Sequence, residues 1–420
     1  MMIKKIFVLL LTFFILFTVF SCQEYPDRNG GNDNGGDGDE NPPVVEPPLT
    51  GNDLSESMIF TASMKIGWNL GNTMEGHSYL TPGETAWQST VTTQALMNGV
   101  AARGFGAVRI PVTWGTMIGD APNYTIDADW LGRVAEIVGY VGNAGMKAII
   151  NIHHDGADSR YWLSVKTADL TGNTKTEMDA KFTAVWTQIA QKFKNTGNFL
   201  LFEAFNELHD GEWGNGNAAQ HNRVNELNQI FVNAVRAVGG ENSSRYLVIP
   251  GWVTRPSVTV SSLVLPTDTA EDKLIVTVHF YDPYDFTGSA EQNEWGSKAI
   301  PTGGQAWANE NNVRNTFNSV RNKFVRNNIP VIIGEYGAVN QSGAAFAYRK
   351  YYMEYVTKYA HDCGFIPFYW DNAGFGSGSE KFGLLRRTDG GAYDSSAQQI
   401  LDVMMKAVND DYALDTITPP

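Results

Sequence analysis

The stretch Phe199-Leu-Leu-Phe-Glu-Ala-Phe-Asn206-Glu207 decides the fold, together with a second stretch, Pro330-Val-Ile-Ile-Gly-Glu335-Tyr-Gly337. Each begins with an apolar run, which is typical of a strand buried on both faces, and each then places a glutamate near the strand's C-terminal end. In a (β/α)₈ barrel, the loops at that end of the strands build the active site. The two stretches therefore predict such a barrel, with the carboxylates of Glu207 and Glu335 on one face.

Strand-like and helix-like segments alternate from about Leu54 onward, and eight such units match a (β/α)₈ TIM barrel. The predicted strands are Ile66–Leu70, Ala107–Val112, Lys147–His153, Phe199–Asn206, Tyr246–Pro250, Leu274–Phe280, Pro330–Glu335 and Phe365–Trp370. The predicted helices are Val91–Arg103, Asp129–Ala144, Glu177–Lys194, His221–Val238, Asn311–Asn327, Ala344–His361 and Ser395–Val408, with a weak fifth crossover near Pro256–Leu263. A doubly wound open sheet is the rival, but its Gly-rich dinucleotide turn is absent after the first strand. The expected fold class is α/β, with one barrel domain over residues 54–420.

The N-terminus has the pattern of a lipoprotein signal peptide. Lys4 and Lys5 precede the apolar run Ile6–Phe20, which has the length of a signal-peptide core and is too short for a comfortable transmembrane span. Cys22 follows at the position of a lipobox cysteine. We therefore expect residues 1–21 to be removed and Cys22 to be acylated; an ordinary signal peptide that contains a cysteine is the alternative.

Residues 22–53 consist mainly of Gly, Asn, Asp, Glu and Pro, and this composition predicts a flexible tether. The expected location is outside the cytoplasm, with a lipid anchor in a bacterial membrane. The acidic residues after Cys22, in Gln23-Glu24 and at Asp27, resemble export signals of some Bacteroidetes surface lipoproteins and point to the outer membrane.

Charge and cysteine content limit the possible partners and the means of stabilisation. The net charge of −14 and the lack of a basic patch argue against nucleic acid as a partner. If Cys22 is acylated, Cys363 is the one remaining cysteine, and no internal disulfide can form. Stability then rests on the core of a domain large enough to bury most of its apolar surface. A monomer is expected.

Polar and aromatic side chains collect where the predicted strands end. Arg109 lies within a predicted strand, and a buried arginine requires an acidic partner. Two carboxylates that face each other across a cleft are the machinery of glycoside hydrolysis. The candidate catalytic residues are Glu207 and Glu335, and the candidate substrate-binding residues are Asn72, Arg109, Trp114, His153, His154, Asn206, His279, Tyr281 and Trp370.

These residues stand in motifs that resemble those of glycoside hydrolase family 5, in the cellulase superfamily. The motifs are Gly67-Trp-Asn-Leu-Gly-Asn72, Val108-Arg109-Ile-Pro-Val, Asn151-Ile-His153-His154, Phe205-Asn206-Glu207, His279-Phe-Tyr281, Gly334-Glu335-Tyr-Gly and Phe368-Tyr-Trp370. They span nearly the whole chain after the tether, in the order of the family. One departure is Leu208, which stands where many members have proline and affects only the start of a loop.

The resemblance implies a retaining enzyme that needs no cofactor and no metal, with Glu207 as general acid/base and Glu335 as nucleophile. It also implies that Asn206 contacts the 2-hydroxyl of the sugar and that Trp370 lies beneath that sugar. Supporting roles follow for Arg109 and Tyr281, which would hold the nucleophile, and for His153, His154 and His279, which would line the central subsite.

The retaining mechanism requires one carboxylate ionised and the other protonated at the outset. Arg109 beside Glu335 would favour the charged form, and a hydrogen bond from Tyr281 would add to this. Glu207 would lack that support and would feel its anionic neighbour, so we expect a raised pKa for its carboxyl group.

Tryptophans point to a polysaccharide substrate, because a flat indole can stack on the apolar face of a pyranose. The tryptophans expected on or near the top-face loops are Trp87, Trp114, Trp162, Trp213, Trp252, Trp295 and Trp370. They predict an open cleft and endo cleavage. The family resemblance implies a β-1,4-linked glucan backbone of the cellulose, mixed-linkage or xyloglucan type. A β-mannan is the alternative, although Gly67–Asn72 and Phe368–Asn372 look more like the endoglucanase and xyloglucanase branch.

Two readings from other classes stay open. One is a metal-dependent barrel hydrolase with His153, His154, Asp155 and His279 as ligands, although adjacent strand residues point to opposite faces. A chelator distinguishes it, because a carboxylate pair needs no metal. The other is a surface glycan-binding protein without catalysis. Loss of either glutamate would have indicated such a protein, and both are present.

Overall fold

Eight parallel strands close into a barrel in the computed structural model, which describes residues 54–156, 161–299 and 308–420. Each strand pairs with its neighbours in chain order, and the last pairs with the first. The strands are β1 Gly67–Leu70, β2 Ala107–Ile110, β3 Lys147–Ile150, β4 Leu200–Glu203, β5 Leu247–Pro250, β6 Leu274–Phe280, β7 Val331–Tyr336 and β8 Phe365–Asp371. The predicted (β/α)₈ barrel is confirmed.

Helices follow the strands and cover the outside of the barrel. They are α1 Gln94–Ala102, α2 Ala128–Asn143, α3 Gly172–Lys192, α4 Ala218–Val238, α5 Pro256–Ser262, α6 Glu310–Lys323, α7 Ala345–Asp362 and α8 Ser395–Asn409. A further helix, Glu56–Ala62, precedes β1. After β1, the short antiparallel strands His77–Ser78 and Thr81–Pro82 form a hairpin. The weak fifth crossover is the short helix α5, which begins with Pro256 at its first position, where proline is well tolerated.

The barrel interior changes from apolar to polar along the strands. Alternation puts residues two apart on the same face. Ala107 and Leu201 lie low in the interior, among buried apolar side chains, and Arg109 and Glu203 lie two residues further along the same strands. Gly67 makes room in the lower part, since a Cβ there would come within 2.1 Å of the Phe368 ring. The apolar layer thus supports a polar layer at the C-terminal ends.

Three predicted strands run further than the ladders do. The ladder of β2 ends at Ile110 rather than Val112, that of β3 at Ile150 rather than His153, and that of β4 at Glu203 rather than Asn206. Beyond these points the backbone leaves the regular sheet, and adjacent residues no longer alternate strictly between two faces. His153 and His154 fall in such a segment.

The predicted signal peptide, tether and acylation site at Cys22 lie outside the described residues. Within the ranges that the structure covers, no helix combines the length and apolar character needed to cross a membrane.

Candidate active site

Arg109 stands at the centre of the polar layer and joins four strands or strand ends. Its Nε donates to Glu203 Oε2 at 2.7 Å, and its Nη1 donates to Glu335 Oε1 at 2.7 Å and to Asn69 Oδ1 at 3.1 Å. Its Nη2 donates to Asn206 Oδ1 at 2.8 Å. The buried arginine therefore has two acidic partners, one of which is Glu335, as the sequence predicted.

Glu335 is aimed into the barrel by a bulge in β7. The register places Ile332 opposite Thr277 and Ile333 opposite Val278, but Glu335, not Gly334, lies opposite His279. The extra residue reverses the alternation and turns Glu335 to the interior face. Gly334 suits this position because a Cβ would come within 2.6 Å of Thr277 Oγ1 and 2.9 Å of His279 Nε2.

The Glu335 carboxylate is held at both oxygens. Arg109 bonds Oε1, and the Tyr281 hydroxyl donates to Oε2 at 3.1 Å. Burial raises the pKa of the Glu335 carboxyl, and electrostatic interactions with His279 and Arg109 act against this rise. Arg109 favours the ionised form as expected, but burial still leaves the pKa above its ordinary value. The contacts nevertheless suit a carboxylate that is to act as a nucleophile.

Glu207 faces Glu335 across the cleft. Its Oε1 lies 2.6 Å from His279 Nδ1, and one carboxylate oxygen of each glutamate lies within 4.8 Å of the other. Burial raises the pKa of the Glu207 carboxyl to about 7, whereas the charge of Arg109 lowers it. The sequence predicted the direction of this shift, but its main cause is burial rather than a neighbouring anion. A carboxyl group with this pKa can hold a proton near neutral pH.

The predicted histidines gather around the two acids. Burial lowers the pKa of all three, to about 4 for His279 and about 3 for His154, so they are neutral at pH 7. His153 Nε2 lies 4.0 Å from Glu335 Oε1, and its ring is parallel to Trp370, with 6.1 Å between the ring centroids. The histidines thus add polar edges beside the acids without adding charge.

An aromatic strip leads away from this centre along the loops after β1 and β3. His154 lies beside His153, and the rings of His77 and Trp87 pack against His154 at 5.8 and 5.3 Å. Trp87 is 42% exposed. A partly exposed indole next to polar imidazoles is a surface to which a sugar ring can bind.

Asn206 and Asn72 lie at the ends of β4 and β1, as predicted. Asn206 accepts from Arg109, which leaves its NH₂ group able to donate to a sugar hydroxyl. Asn72 is half-buried with φ 56°, and the Glu75 carboxylate accepts its backbone N–H. Trp370 is also half-buried, at the end of β8.

Trp114 is a correction to the predicted substrate-binding set. Its side chain is fully buried, and its indole N–H donates to the backbone oxygen of Asn151 at 3.0 Å. No indole face is left for a sugar, so Trp114 packs the core and supports the β3 end. Trp252 and Trp295, which were expected on top-face loops, are buried as well.

Several residues that hold the site escaped the sequence-based prediction. Glu203 and Asn69 bond Arg109, and Asn151 donates to Glu203 Oε2 at 2.8 Å. The signal for Glu203 was present, because it is an acid inside an apolar strand. Thr254 gave no such signal in the sequence, although a hydrogen bond from its side chain lowers the pKa of Glu207. Thr254 and the preceding Val253 both have a backbone φ of 52°.

The alternative metal site does not gain a ligand from Asp155. Its Oδ1 accepts the Gly115 N–H and the Trp162 indole N–H, and its Oδ2 accepts the Trp114 N–H. In the described part of the chain, one set of three acids and imidazoles has ligand atoms that all lie within 4.8 Å of one another, and it consists of Glu207, His279 and Glu335. Asp155 thus orders loops rather than facing the cleft.

Residues 71–376 match the family described as cellulase (glycosyl hydrolase family 5). The chain belongs to glycoside hydrolase family 5. The enzyme is therefore a glycoside hydrolase of a retaining family, and the predicted family, barrel and enzyme class are confirmed.

Relatives agree with the predicted endo-β-1,4-glucanase activity. Endoglucanase A of Paenibacillus barcinonensis is 36% identical, over 83% of this chain and 89% of its own. A xyloglucan-specific endo-β-1,4-glucanase of Bacteroides ovatus is 33% identical, over 87% of this chain and 73% of its own. The solved structure of a broad-specificity endoglucanase from Bacteroides salanitronis has 44% identity and a TM-score of 0.81, and covers 84% of this chain and 95% of its own.

Proposed function

We propose that this family 5 enzyme cleaves β-1,4-glucan backbones internally, in plain, mixed-linkage and xyloglucan-type chains, by double displacement. The observation that carries the proposal is the pair Glu207 and Glu335, whose nearest oxygens lie within 4.8 Å. Retaining enzymes hold their two carboxyl groups about 5–5.5 Å apart, whereas inverting enzymes leave about 6.5–9.5 Å for a water molecule. The observed proximity fits the retaining class.

The first step breaks the glycosidic bond. A Glu335 oxygen attacks the anomeric carbon and forms an ester bond, while the bond to the leaving oxygen breaks. Glu207 gives its proton to that oxygen, so the departing chain leaves as an alcohol. In the second step Glu207, now a carboxylate, takes a proton from water. The resulting hydroxide attacks the anomeric carbon, releases Glu335 and restores the starting protonation states.

The surroundings fit these two roles. Arg109 and Tyr281 both donate hydrogen bonds to Glu335, so positive charge and a hydroxyl donor favour an anion at the attacking position. Glu207 lies beside neutral His279, and burial keeps its proton affinity high. Formation of the ester removes the negative charge of Glu335. Loss of this neighbouring charge lowers the proton affinity of Glu207 for the second step.

The range of substrates is proposed from the aromatic strip and from relatives. The strip of His154, His77 and Trp87 continues outward from the catalytic centre, so several consecutive backbone sugars can be bound. Relatives include the xyloglucan-specific enzyme, the broad-specificity endoglucanase and a lichenase from Caldicellulosiruptor. These names favour glucan over mannan.

A panel of soluble polysaccharides tests the assignment. Carboxymethyl cellulose, mixed-linkage β-glucan, xyloglucan and β-mannan are incubated with the enzyme, and the products are separated by size over time. We expect a rapid fall in viscosity and intermediate-length oligosaccharides from the glucans. Preferred cleavage of mannan, or release of only short products from chain ends, would contradict the proposal.

We also propose that the enzyme is anchored to a bacterial membrane by lipid on Cys22 and works outside the cytoplasm as a monomer. The apolar run that ends before Cys22 supports this, and so does the tether-like composition of residues 22–53. A soluble polysaccharide is too large to enter a cell readily, so an exported enzyme suits the proposed substrate.

A further inference from the structure

A buried arginine outside the catalytic set joins the two strand ends beside Trp370. Arg387 lies in the loop between β8 and α8 and is 5% exposed. Its Nη2 donates to the backbone oxygen of Gly71 at 2.9 Å and to that of Asp371 at 2.6 Å. Gly71 follows β1, and Asp371 ends β8, so one nitrogen links the first and last strands of the barrel.

The Arg387 guanidinium is fixed from several sides. It lies over the Trp68 ring at 4.7 Å, and its Nη2 is 3.5 Å from Asp371 Oδ1. Asp371 is itself held, because its Oδ2 accepts the Trp68 indole N–H and the backbone N–H groups of Leu384 and Leu385. Such a network leaves the guanidinium little freedom to move.

The linked backbone directly abuts the indole of Trp370. The Gly71 N–H donates to the Asp371 oxygen at 3.0 Å. A Cβ on Gly71 would lie 2.7 Å from that oxygen and 3.1 and 3.2 Å from two ring carbons of Trp370. The indole edge therefore packs on a glycine whose carbonyl oxygen accepts a hydrogen bond from Arg387.

A second buried titratable side chain, Glu75, lies on the β1 side. The Glu75 carboxylate is fully buried and accepts the backbone N–H groups of Asn72 and Thr73, the latter at 2.9 Å. Arg387 Nε and Nη1 have no hydrogen-bond partner among the described residues. An arginine with two buried donors unused is costly to retain for stability alone, and a well-packed apolar residue would often serve as well.

We propose that Arg387 is a positioning residue for catalysis: it holds the Gly71 turn against Trp370 and so sets the height and tilt of the indole beneath the reacting sugar. Arg387 does not touch the substrate, and it acts through Trp370. The proposal rests on the proposed function and on the position beneath the reacting sugar that the family resemblance implies for Trp370. A displacement of about 1 Å at such a platform costs about a hundredfold in rate in well-oriented sites.

A double-mutant cycle on the full folded domain tests the proposal. The variants are Arg387→Met, Trp370→Phe and their combination, with kcat and KM measured on cellotetraose. We expect Arg387→Met to lower kcat/KM about tenfold or more when Trp370 is present, and less than about threefold when Trp370 is already replaced, because contacting residues are coupled. The same Arg387→Met loss in both backgrounds would overturn the proposal.

Two controls separate positioning from general destabilisation. Arg387→Met is also combined with Trp87→Phe, at the exposed end of the aromatic strip, where the losses should add. Arg386→Met replaces the neighbouring arginine, which is exposed and paired with Asp389, and should leave kcat/KM unchanged. Coupling to Trp87 as strong as that to Trp370 would indicate a global effect and overturn the proposal.

A second route uses Gly71 and Arg387→Lys, in case Arg387→Met does not fold. Gly71→Ala pushes on the Trp370 indole directly, and its loss of kcat/KM should also shrink in the Trp370→Phe background. Arg387→Lys keeps the positive charge and a hydrogen-bond donor group, and should recover part of the loss seen in Arg387→Met. Full activity of folded Gly71→Ala would contradict the proposal, even if Trp370 itself proved essential for activity. The activity of Glu335→Gln tests the proposed function alone and does not bear on the role of Arg387.

Discussion

At the scale of single residues, the two acids differ in their neighbours more than in their burial. Glu335 has a cation and a hydroxyl on its oxygens, and Glu207 has a neutral imidazole. Because both are carboxylates on strand ends, the sequence marked them as a pair, and their separate roles came from a family resemblance. Their contacts now give each a distinct expected response to substitution.

Glu335→Ala should abolish turnover of every glycoside, because no covalent intermediate can form. Glu207→Ala should lose most activity on polysaccharide but much less in the first step on an aryl β-cellobioside with an activated leaving group, which departs with little acid help. A burst of released phenol should then precede a slow steady state. Stopped-flow absorbance measures both phases.

Azide distinguishes the acid/base from the nucleophile. Added to Glu207→Ala, it attacks the glycosyl ester without needing a base, and the product should be a β-glycosyl azide. Product NMR reads the anomer. In Glu335→Ala, azide can take the place of the lost nucleophile, and the expected product is then an α-glycosyl azide. A β-glycosyl azide from Glu335→Ala would mean that the two roles are reversed.

The pH profile should follow the protonation of Glu207. Its proton is needed in the first step, so kcat/KM on an unactivated cello-oligosaccharide should be retained below the carboxyl pKa of about 7 and fall as the pH rises through that value. The aryl β-cellobioside with an activated leaving group serves as control and should stay level over the same interval. An equally steep decline for both substrates would assign the alkaline limb to another group.

At the scale of elements, the bulge in β7 is the feature that positions the nucleophile. Strict alternation from Ile332 would place Gly334 inside the barrel and Glu335 on the helix-facing side. The bulge reverses this, and Gly334 is the residue that allows His279 to occupy the space alongside. Bulges near active sites often re-aim a side chain in this way.

Gly334→Ala should therefore reduce kcat about a hundredfold, because the new methyl group must displace His279 or Thr277 and with them Glu335. Gly139→Ala, in helix α2 with nothing within 4 Å of its Cβ, is the matched control and should keep full activity. Kinetics and thermal melting of both variants are the measurements. Wild-type kcat for Gly334→Ala would show that the bulge tolerates a side chain.

The same bulge explains what the sequence could and could not predict. The eight strands, most helices and the strand-end residues followed from apolar runs and their spacing, because burial of a parallel strand leaves a strong pattern. The inward direction of the Glu335 side chain could not be predicted, because strict alternation along the strand places it on the helix-facing side. Trp114 was misplaced for a related reason: a tryptophan near a strand end can stack on a sugar or pack the core, and local sequence does not distinguish these. Glu203 was overlooked although it is an acid inside an apolar strand, because its partner Arg109 lies 94 positions away in the sequence.

At the scale of the whole molecule, the barrel and its N-terminal extension have separate tasks. The described domain starts with the helix Glu56–Ala62, and that helix is tied to the barrel through Ser57, whose N–H donates to Asp272 at 2.9 Å. The predicted tether would end just before it. Catalysis should thus be independent of anchoring.

Cys22→Ala should release the enzyme from membranes or leave it unprocessed, without changing kcat/KM of the extracted protein. Labelling with a palmitate analogue, followed by fractionation and mass spectrometry of the mature N-terminus, measures this. Ser21→Ala is a nearby control that keeps the thiol. A mature wild-type N-terminus elsewhere, without lipid, would contradict the anchor proposal.

Arg109, in β2, contacts Asn69 of β1, Glu335 of β7, and Glu203 and Asn206 of β4 and its loop, so one side chain serves the barrel and the reaction together. Because Arg109 serves both functions, a substitution at this position impairs stability and catalysis together. Evolution therefore has no functional intermediate variant at this position. The loops outside this centre carry no such burden. New substrate preferences in this lineage should accordingly arise in the rim, around an unchanging core of charges.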